Sequence, residues 1–156
     1  MILKLNKIFL PIFIILFIII LASPIKTHAG DQLTIKMATL APNGSPWHEI
    51  LKDMAAEWQE ISGGDITLRI YPGGVAGDER DTIRKMRIGQ MQAAAVTLSG
   101  LAVISNHVNA LAIPMTINTW EKLYRVRDSL GPEIEQTLAE EGFIVLNWGD
   151  GGWVRF

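Results

Sequence analysis

The chain contains no cysteine, only three histidines and no excess of basic residues among its 156 residues. Without cysteine it cannot form a disulfide framework, a cysteine-ligated zinc site or a thiol nucleophile. Its 14 basic and 16 acidic side chains give a net charge of −2, whereas nucleic-acid binding requires a basic surface that neutralises phosphates. The composition therefore argues against a disulfide scaffold, a thiol enzyme and a nucleic-acid-binding protein.

The small number of histidines also limits the catalytic and metal-binding chemistry available. No two of His28, His48 and His107 have the spacing of a metal-ligand pair, and no HExxH motif is present. The glycine-rich run from Pro72 to Asp78 leads into a helix but lacks the Gly-Lys-Ser/Thr ending of a phosphate-binding loop. We therefore expect no enzyme activity, no metal and no cofactor. An α/β hydrolase or transferase is an alternative that requires His48 or His107 beside a serine and an acid.

A long apolar run occurs at the start of the chain. Ile8 to Ala22 is almost entirely hydrocarbon, follows Lys4 and Lys7, and precedes small residues that end at Ala29. This order is typical of a secretory signal peptide over residues 1–29, cleaved after Ala29. A membrane anchor is the alternative, but it requires about 20 apolar residues, and Pro11 interrupts this shorter run. We therefore expect export to the periplasm.

Removal of residues 1–29 changes the charge balance of the chain. The charged residues of this segment are all lysines, so residues 30–156 keep 11 basic against 16 acidic side chains, a net charge of −5. The remaining length is that of one ordinary domain. Because no cysteine is available in an oxidising compartment, this domain must be stabilised by its apolar core.

Residues 33–98 alternate between strand and helix patterns. Short alternating or apolar runs at 33–38, 66–71 and 93–98 predict strands, and periodic segments at 46–61 and 78–90 predict helices. Ser45 offers a helix N-cap, with Pro46 at the first helical position. This order predicts an α/β fold, a β-α-β-α-β doubly wound lobe with parallel strands. The apolar stripe of the first helix comprises Trp47, Ile50, Leu51, Met54, Ala55, Trp58 and Ile61.

The pattern after residue 98 is less regular. We expect a short helix within 99–109, a strand at 110–115 and a further helix capped by Thr119. Gly131-Pro132 should interrupt that helix, which then resumes to Glu141. A last strand is predicted at 143–148.

Asp78, Glu79 and Arg80 follow a predicted parallel strand and have two interpretations. The acids can cap the next helix and complement its dipole. Alternatively, they can contact a ligand, because ligands bind beyond the carboxyl ends of strands in open α/β sheets. The loops that begin near Thr39 and Thr97 should emerge at the same edge.

Several short motifs occur along residues 33–156. They include Ser62-Gly-Gly, Tyr71-Pro-Gly-Gly, Gly77-Asp-Glu before the second helix and Met86-Arg-Ile-Gly after it. The later runs ALAIPM and EEGFIVLNWGDGGWVRF belong to the same set. In combination they resemble the DctP-like solute receptors of TRAP (tripartite ATP-independent periplasmic) transporters.

The resemblance implies a periplasmic-binding-protein-like fold with two α/β lobes that close on a ligand. It implies a receptor that captures a small organic anion, usually a carboxylate, and delivers it to the membrane permease subunits of the transporter. Residues 30–148 would form the first lobe, and residues 149–156 would begin the crossover strand. The ligand-facing positions that it implies are Thr39, Glu79 and Thr97, together with Asn147, Trp148 and Trp153 near the crossover.

The length of the chain departs from this family. Family members are roughly twice as long, so the chain resembles a truncated receptor or a piece of one, with the second lobe largely missing. An alternative is a periplasmic sensor or interaction domain, anchored through Ile8–Ala22 if that segment is retained. Without a second lobe, we expect an exposed apolar strip around Trp148 and Trp153.

We expect that the chain alone binds no carboxylate tightly. The arginine that pairs with the ligand carboxylate in the family is expected in the missing half, and Arg155 lies on the crossover strand instead. Calorimetry against a panel of organic acids checks this expectation, and micromolar binding of any of them would contradict it.

Overall fold

The computed structural model describes residues 32–113 and 116–151. Within these ranges lie the strands β1 (Leu33–Thr39), β2 (Ile66–Tyr71) and β3 (Ala93–Ala95). The helices are α1 (Pro46–Ile61), α2 (Glu79–Arg87), α3 (Leu98–Ile104), the 3-10 helix (Asn106–Ala112) and α4 (Trp120–Glu140). The predicted signal peptide 1–29 and Trp153 lie outside the described residues.

The described strands form a parallel sheet in the order β2-β1-β3. Met37 of β1 lies opposite Ile70 of β2 on one side and Ala93 of β3 on the other. The chain steps from β1 to β2 and then crosses back beyond β1 to β3. Because right-handed crossovers in opposite directions place their helices on opposite faces, this order confirms the predicted doubly wound α/β arrangement.

Helix α1 begins and ends where its sequence predicts. The Ser45 hydroxyl accepts a hydrogen bond from the backbone N–H of His48 at 3.3 Å, and Pro46 occupies the first turn. At the other end, the N–H of Ser62 bonds to the Trp58 carbonyl at 3.1 Å. These caps satisfy backbone groups that a helix terminus leaves without partners.

The apolar stripe of α1 is buried in its middle only. Leu51 joins Met37 and Leu68 in a cluster between the helix and the sheet, and Met54, Ala55 and Trp58 pack against them. At the helix ends, Trp47 and Ile61 are 43% and 84% exposed. The predicted stripe therefore includes residues at both helix ends that the sheet cluster does not bury.

A second apolar cluster joins the other helices. Its buried members are Ile83 of α2, Ile104 of α3, Val108 of the 3-10 helix, and Ile134 and Leu138 of α4. Val108 and Leu138 are fully inaccessible to solvent. The cluster holds four separate chain segments together, so it stabilises the helical side of the domain much as the first cluster stabilises the sheet.

The third strand and the segment after it differ from the prediction. The strand expected over 93–98 ends at Ala95, because Thr97 caps α3 and the chain turns helical at Leu98. The strand expected over 110–115 is wrong for the described part, which is 3-10 helix to Ala112; residues 114–115 lie outside the described ranges. Val108 and Leu111, three residues apart, both contact the helical cluster, and this spacing favours a 3-10 turn over an extended chain.

Helix α4 is continuous, and the predicted interruption at Gly131-Pro132 is wrong. Thr119 caps it as expected, accepting the Lys122 N–H at 3.2 Å, and the helix runs through Pro132 to Glu140. Proline in a helix interior costs about 3 kcal/mol. Ile134 and Leu138 follow directly and are buried, so packing against the helical cluster offsets that cost.

The predicted strand at 143–148 is also wrong, although its alternation is real. Phe143, Val145 and Trp148 pack against the helical cluster, whereas Ile144 and Leu146 are 83% and 75% exposed. The segment has no regular secondary structure and pairs with no strand of the described sheet. Alternating burial therefore reflects packing on helices here rather than pairing in a sheet.

The described helices give no candidate for a membrane span. None within residues 32–113 and 116–151 is both long enough and apolar enough to cross a bilayer. The apolar run Ile8–Ala22 lies outside these ranges.

The buried and exposed leucines of the C-terminal region allow a matched test of the helical cluster. We expect Leu138→Ala to lower the free energy of unfolding by about 3 kcal/mol, because it removes a fully buried side chain and leaves a cavity. Leu146→Ala, the same change at an exposed position, should alter it by less than about 0.5 kcal/mol. Urea unfolding monitored by circular dichroism measures both, and equal losses would contradict the assignment of the core.

Candidate functional site

The chain leaves the carboxyl ends of β1 and β3 toward opposite faces of the sheet. After β1 it enters α1, which packs in the sheet cluster, and after β3 it enters α3, which packs in the helical cluster. Such a divergence opens a crevice where ligands bind in open α/β folds. Thr39 pairs with Ala95, two residues before Thr97, so Thr39 and Thr97 flank this β1/β3 crevice.

Thr39 is buried at the end of β1 and helps to shape the loops around it. Its Oγ1 accepts a hydrogen bond from the Ala41 N–H at 3.1 Å, and its carbonyl oxygen accepts one from the Gly74 N–H at 3.2 Å. The Gly73 N–H also donates to the Ala41 carbonyl at 2.8 Å. These hydrogen bonds join the loop after β2 to the end of β1 and the loop that follows it. Thr39 itself is 8% exposed.

Glu79 and Thr97 lie 18 positions apart in the sequence and make direct contact. Glu79 Oε1 accepts the Thr97 backbone N–H at 2.6 Å, and Glu79 Oε2 accepts the Thr97 hydroxyl at 2.8 Å. Thr97 Oγ1 in turn accepts the Ser99 N–H at 3.2 Å. The carboxylate of α2 therefore completes the N-terminal cap of α3, and the two helices meet at the crevice.

Gly100 makes this contact possible. A Cβ on Gly100 would lie 2.8 Å from Val96 Cβ and 3.1 Å from both Cβ and Cδ of Glu79. These separations are shorter than ordinary van der Waals contact between carbons. Gly100 thus lets the Glu79 side chain lie across the first turn of α3.

The electrostatics of this edge are set by helix N-termini. Helices α1, α2 and α3 begin there with Ser45, Asp78 and Thr97 as N-caps. The N-terminus of a helix carries a partial positive charge that stabilises an adjacent anion. At α3 the protein supplies that anion itself in the form of the Glu79 carboxylate.

Asp78 and Glu79, which were interpreted either as helix caps or as ligand contacts, play different roles in the structure. Asp78 is a cap, because its Oδ1 accepts the Asp81 N–H at 2.8 Å. Glu79 points to Thr97 and the crevice. Arg80 lines a groove of about 420 Å³ with Ser99, Ala102, Val103 and Asn106, and it forms no ion pair with any residue of the described ranges.

Asn147 and Trp148 lie on the segment that follows α4. Asn147 is exposed, and its Oδ1 accepts the Trp148 backbone N–H at 2.9 Å. The Trp148 indole N–H donates to Glu135 Oε1 at 2.6 Å, and the ring packs against the helical cluster. The expected exposed strip therefore consists of Ile144 and Leu146 in the described residues, whereas Trp148 is half-buried. The structure shows no contact between these two residues and Glu79 or Thr97.

Trp47 is a residue near this edge that sequence reasoning placed only in the helix stripe. It is 43% exposed, and a Cβ on Gly149 would lie 2.9 Å from its Cη2 atom. Asp150 pairs with Arg127 of α4 at 3.5 Å. Residues 148–150 are thus fixed both to α4 and to the start of α1. The glycines on either side of Asp150 were the sequence feature that could have indicated this contact, since an aromatic ring packs closely on the backbone where glycine leaves room for it.

A second groove of about 480 Å³ runs between α1 and the outer strand β2. It is lined by His48, Lys52 and Gln59 of the helix and by Arg69 of the strand, among others. Lys52 is engaged by Glu49 at 2.9 Å, and this hydrogen bond lowers the pKa of the Glu49 carboxyl and raises the pKa of the Lys52 ammonium. Arg69 lies over the Tyr71 ring at 5.3 Å. Both cations therefore already have partners.

The described histidines form no catalytic arrangement. His48 is buried, and its Nδ1 accepts the Gly44 N–H at 3.1 Å, so it closes the loop before α1. His107 Nδ1 lies 3.1 Å from Ser105 Oγ, but that serine is the N-cap of the 3-10 helix, and no acid within residues 32–113 and 116–151 contacts the imidazole. Across the same ranges no cluster of three acidic or histidine side chains could hold a metal ion.

A family model for bacterial extracellular solute-binding protein, family 7, DctP, matches residues 37–156. The chain belongs to this family. The match includes β1 from Met37, the whole β1/β3 crevice and the segment after α4.

Curated relatives of this family-7 chain are distant and longer. The protein YiiZ of Salmonella typhimurium is 27% identical over 148 residues, which cover 94% of this chain and 45% of that protein. The sialic acid-binding periplasmic protein SiaP of Vibrio cholerae is 24% identical over 131 residues, or 84% of this chain and 40% of SiaP. The chain thus spans less than half the length of these relatives.

Solved structures share the fold of this family-7 chain. A TRAP periplasmic solute-binding protein of Pseudomonas putida with bound D-glucuronate has a TM-score of 0.69 at 30% identity, covering 77% of this chain and 40% of that one. A second, from Chromohalobacter salexigens and also with bound D-glucuronate, has a TM-score of 0.67 at 27% identity, covering 73% and 38%. The described residues therefore form part of a periplasmic-binding-protein-like lobe.

The role of Gly100 can be tested by adding one methyl group. We expect Gly100→Ala to destabilise the fold by about 1–2 kcal/mol, because the new Cβ must displace Val96 and Glu79. This loss should outweigh the helix-propensity gain of about 1 kcal/mol for alanine over glycine.

Gly131→Ala is the control for the same substitution within a helix. A Cβ there meets nothing nearer than Arg127 Cγ at 3.9 Å, so we expect no loss of stability. The position before Pro132 should remove part of the propensity gain. Thermal unfolding compares the two variants, and a Gly100→Ala variant as stable as the parent would show that the Glu79 contact is not tight.

Proposed function

We propose that this chain supplies a lobe of a periplasmic receptor that captures a small organic acid for import by a TRAP-type membrane permease. The observation that carries the proposal is the Glu79–Thr97 pair at the β1/β3 crevice of a chain from an extracellular solute-binding family. In this proposal the chain binds its ligand without altering it. The periplasmic location also draws on the predicted signal peptide 1–29.

The fold supports a ligand at the β1/β3 crevice. Thr39 and Thr97 stand on either side of it, and Glu79 reaches it from α2. Hydroxyl and carboxylate groups are suited to orienting a small polar ligand. We therefore keep Thr39, Glu79 and Thr97 as the proposed ligand contacts of this lobe.

Asn147 and Trp148 are proposed contacts with weaker structural support. Asn147 is exposed and Trp148 is half-buried, but both lie on the segment that Trp47 and α4 hold in place. A segment fixed in this way is suited to forming one wall of a binding site. Trp153 is retained as a prediction from the sequence alone.

The chemical class of the ligand is supported by related proteins. Two of the structural neighbours with more than a quarter of identical residues contain D-glucuronate, and the relative SiaP is named for sialic acid. These compounds are small carboxylic acids. We propose that this chain binds a ligand of the same broad class. We also propose that the receptor delivers this ligand to the permease subunits of the transporter.

The proposal is tested by titrating the purified, isotope-labelled chain with D-glucuronate and N-acetylneuraminate. We expect weak binding, with a dissociation constant on the order of millimolar, that shifts the backbone amide signals of Thr39, Thr97 and Ser99. The amides of Ser62 and Gly63, in the loop that follows α1 and precedes β2, are the internal control and should not move. Absence of any shift at the crevice with either acid would contradict the proposed function.

A further inference from the structure

The loop between β1 and α1 is held to its helix by a buried histidine. His48 is 8% exposed, and its Nδ1 accepts the backbone N–H of Gly44 at 3.1 Å. Because a backbone N–H can only donate, Nδ1 carries no proton in this contact and the imidazole is uncharged. The loop, residues 40–45, contains no charged side chain of its own. A change of charge at His48 would therefore act on this loop directly.

A second partner for the same nitrogen lies on the next residue of the helix. Glu49 Oε1 is 3.9 Å from His48 Nδ1. The other oxygen of that carboxylate, Oε2, accepts a hydrogen bond from the Lys52 ammonium at 2.9 Å. This hydrogen bond lowers the pKa of the Glu49 carboxyl, so Glu49 keeps its negative charge at the pH values at which histidines gain a proton. Glu49 Oε1 is thus placed to accept a hydrogen bond from a protonated Nδ1.

Other charged groups face His48 from the helix and from the outer strand. Lys52 of α1 and Arg69 of β2 line the same groove as His48, and both would repel a positively charged imidazole. Lys52 is held by Glu49, and Arg69 lies over the ring of Tyr71 at 5.3 Å. Among the residues that the structure describes, Glu49 is the acid within ion-pair distance of His48. It is therefore the partner that a charged His48 can reach.

We propose that His48 is a pH-sensitive latch on the loop between β1 and α1. At neutral and alkaline pH, its Nδ1 accepts the Gly44 N–H and holds the loop to the helix. Histidine side chains change their charge between about pH 8 and pH 5, and a protonated Nδ1 can only donate. The charged imidazole then releases Gly44 and donates to Glu49 instead.

Release of Gly44 loosens one wall of the β1/β3 crevice. The loop begins after Thr39, which flanks the crevice. It is also tied to the loop after β2, because the Gly73 N–H donates to the Ala41 carbonyl at 2.8 Å. This second tie does not involve a titratable group, so we expect the change to be confined to the part of the loop around Gly44. The latch operates without a ligand and is independent of the proposed function.

The latch is tested by nuclear magnetic resonance of the purified, isotope-labelled chain between about pH 8 and pH 5. The imidazole nitrogen signals report the pH at which His48 gains its second ring proton. Over the same interval, we expect the protection of the Gly44 amide from hydrogen exchange, corrected for the intrinsic pH dependence of exchange, to fall about fivefold. The Gly64 amide is the internal control, because this glycine also has a positive φ but donates to the Gln59 carbonyl at 2.8 Å. Its protection should stay constant.

Histidine and glutamate variants provide the second arm. His48→Asn places an amide oxygen near the position of Nδ1 and cannot gain a charge, so the Gly44 amide should stay protected at every pH. His107→Asn is the matched control on the 3-10 helix, where Nδ1 lies 3.1 Å from Ser105 Oγ, and it should keep the pH response of the parent. Glu49→Gln removes the anion, so the release of Gly44 should require a lower pH than in the parent.

The latch is rejected by any of three results. They are a His48 that stays uncharged down to about pH 5, a Gly44 amide whose protection is unchanged while His48 gains its proton, and a His48→Asn variant that keeps the pH response. Equal loss of protection at Gly44 and Gly64 would show that the domain unfolds as a whole at acid pH, and would also reject the latch. None of these results depends on ligand binding at the crevice, so the proposed function is tested separately.

Discussion

Parallel pairing of β1 with both of its neighbours is the constraint on which the rest of this structure depends. It aligns the carboxyl ends of the described strands along one edge and brings the starts of three helices to that edge. Residues far apart in sequence, such as Glu79 and Thr97, meet there as a result. The backbone pairing therefore determines which polar side chains can act together.

The elements that sequence reasoning placed correctly have local physical determinants. Helix α1 has a serine cap, a proline in its first turn and a periodic apolar face, and all three act within the segment itself. The strands β1 and β2 likewise carry their own alternating pattern. Their parallel order followed from the short β-α-β spacing, since crossover connections leave few alternatives.

The elements that were placed wrongly depend on tertiary packing. Residues 110–112 are apolar enough for a strand, but they form a 3-10 turn from which Leu111 packs against the helical cluster. Phe143 and Val145 are more buried than their neighbours although no strand pairs with them. Pro132 disfavours a helix by itself, but the packing of its buried neighbours in α4 outweighs that cost. A local pattern cannot specify which surface will cover it, so these segments required the structure.

The candidate site shows the same division. The positions of Thr39, Glu79 and Thr97 at one edge were expected, but the bond between the last two was not. That hydrogen bond depends on Gly100, and nothing in the sequence around Gly100 indicates that Glu79 lies beside it. Trp47 was assigned to the stripe of α1 because its spacing fits, and its contact with Gly149 depends on a segment a hundred residues later.

The brevity of β3 has a consequence for motion at this edge. The strand consists of three half-buried alanines, pairs with β1 on one side and contributes little apolar surface of its own. Segments with few buried contacts open locally at a lower free energy than the core around them. The Glu79–Thr97 bond therefore fastens the least anchored strand of the sheet, and the amides of β3 should exchange with solvent sooner than those of β1. Thr97, a proposed ligand contact, therefore lies just after the strand that we expect to open most readily.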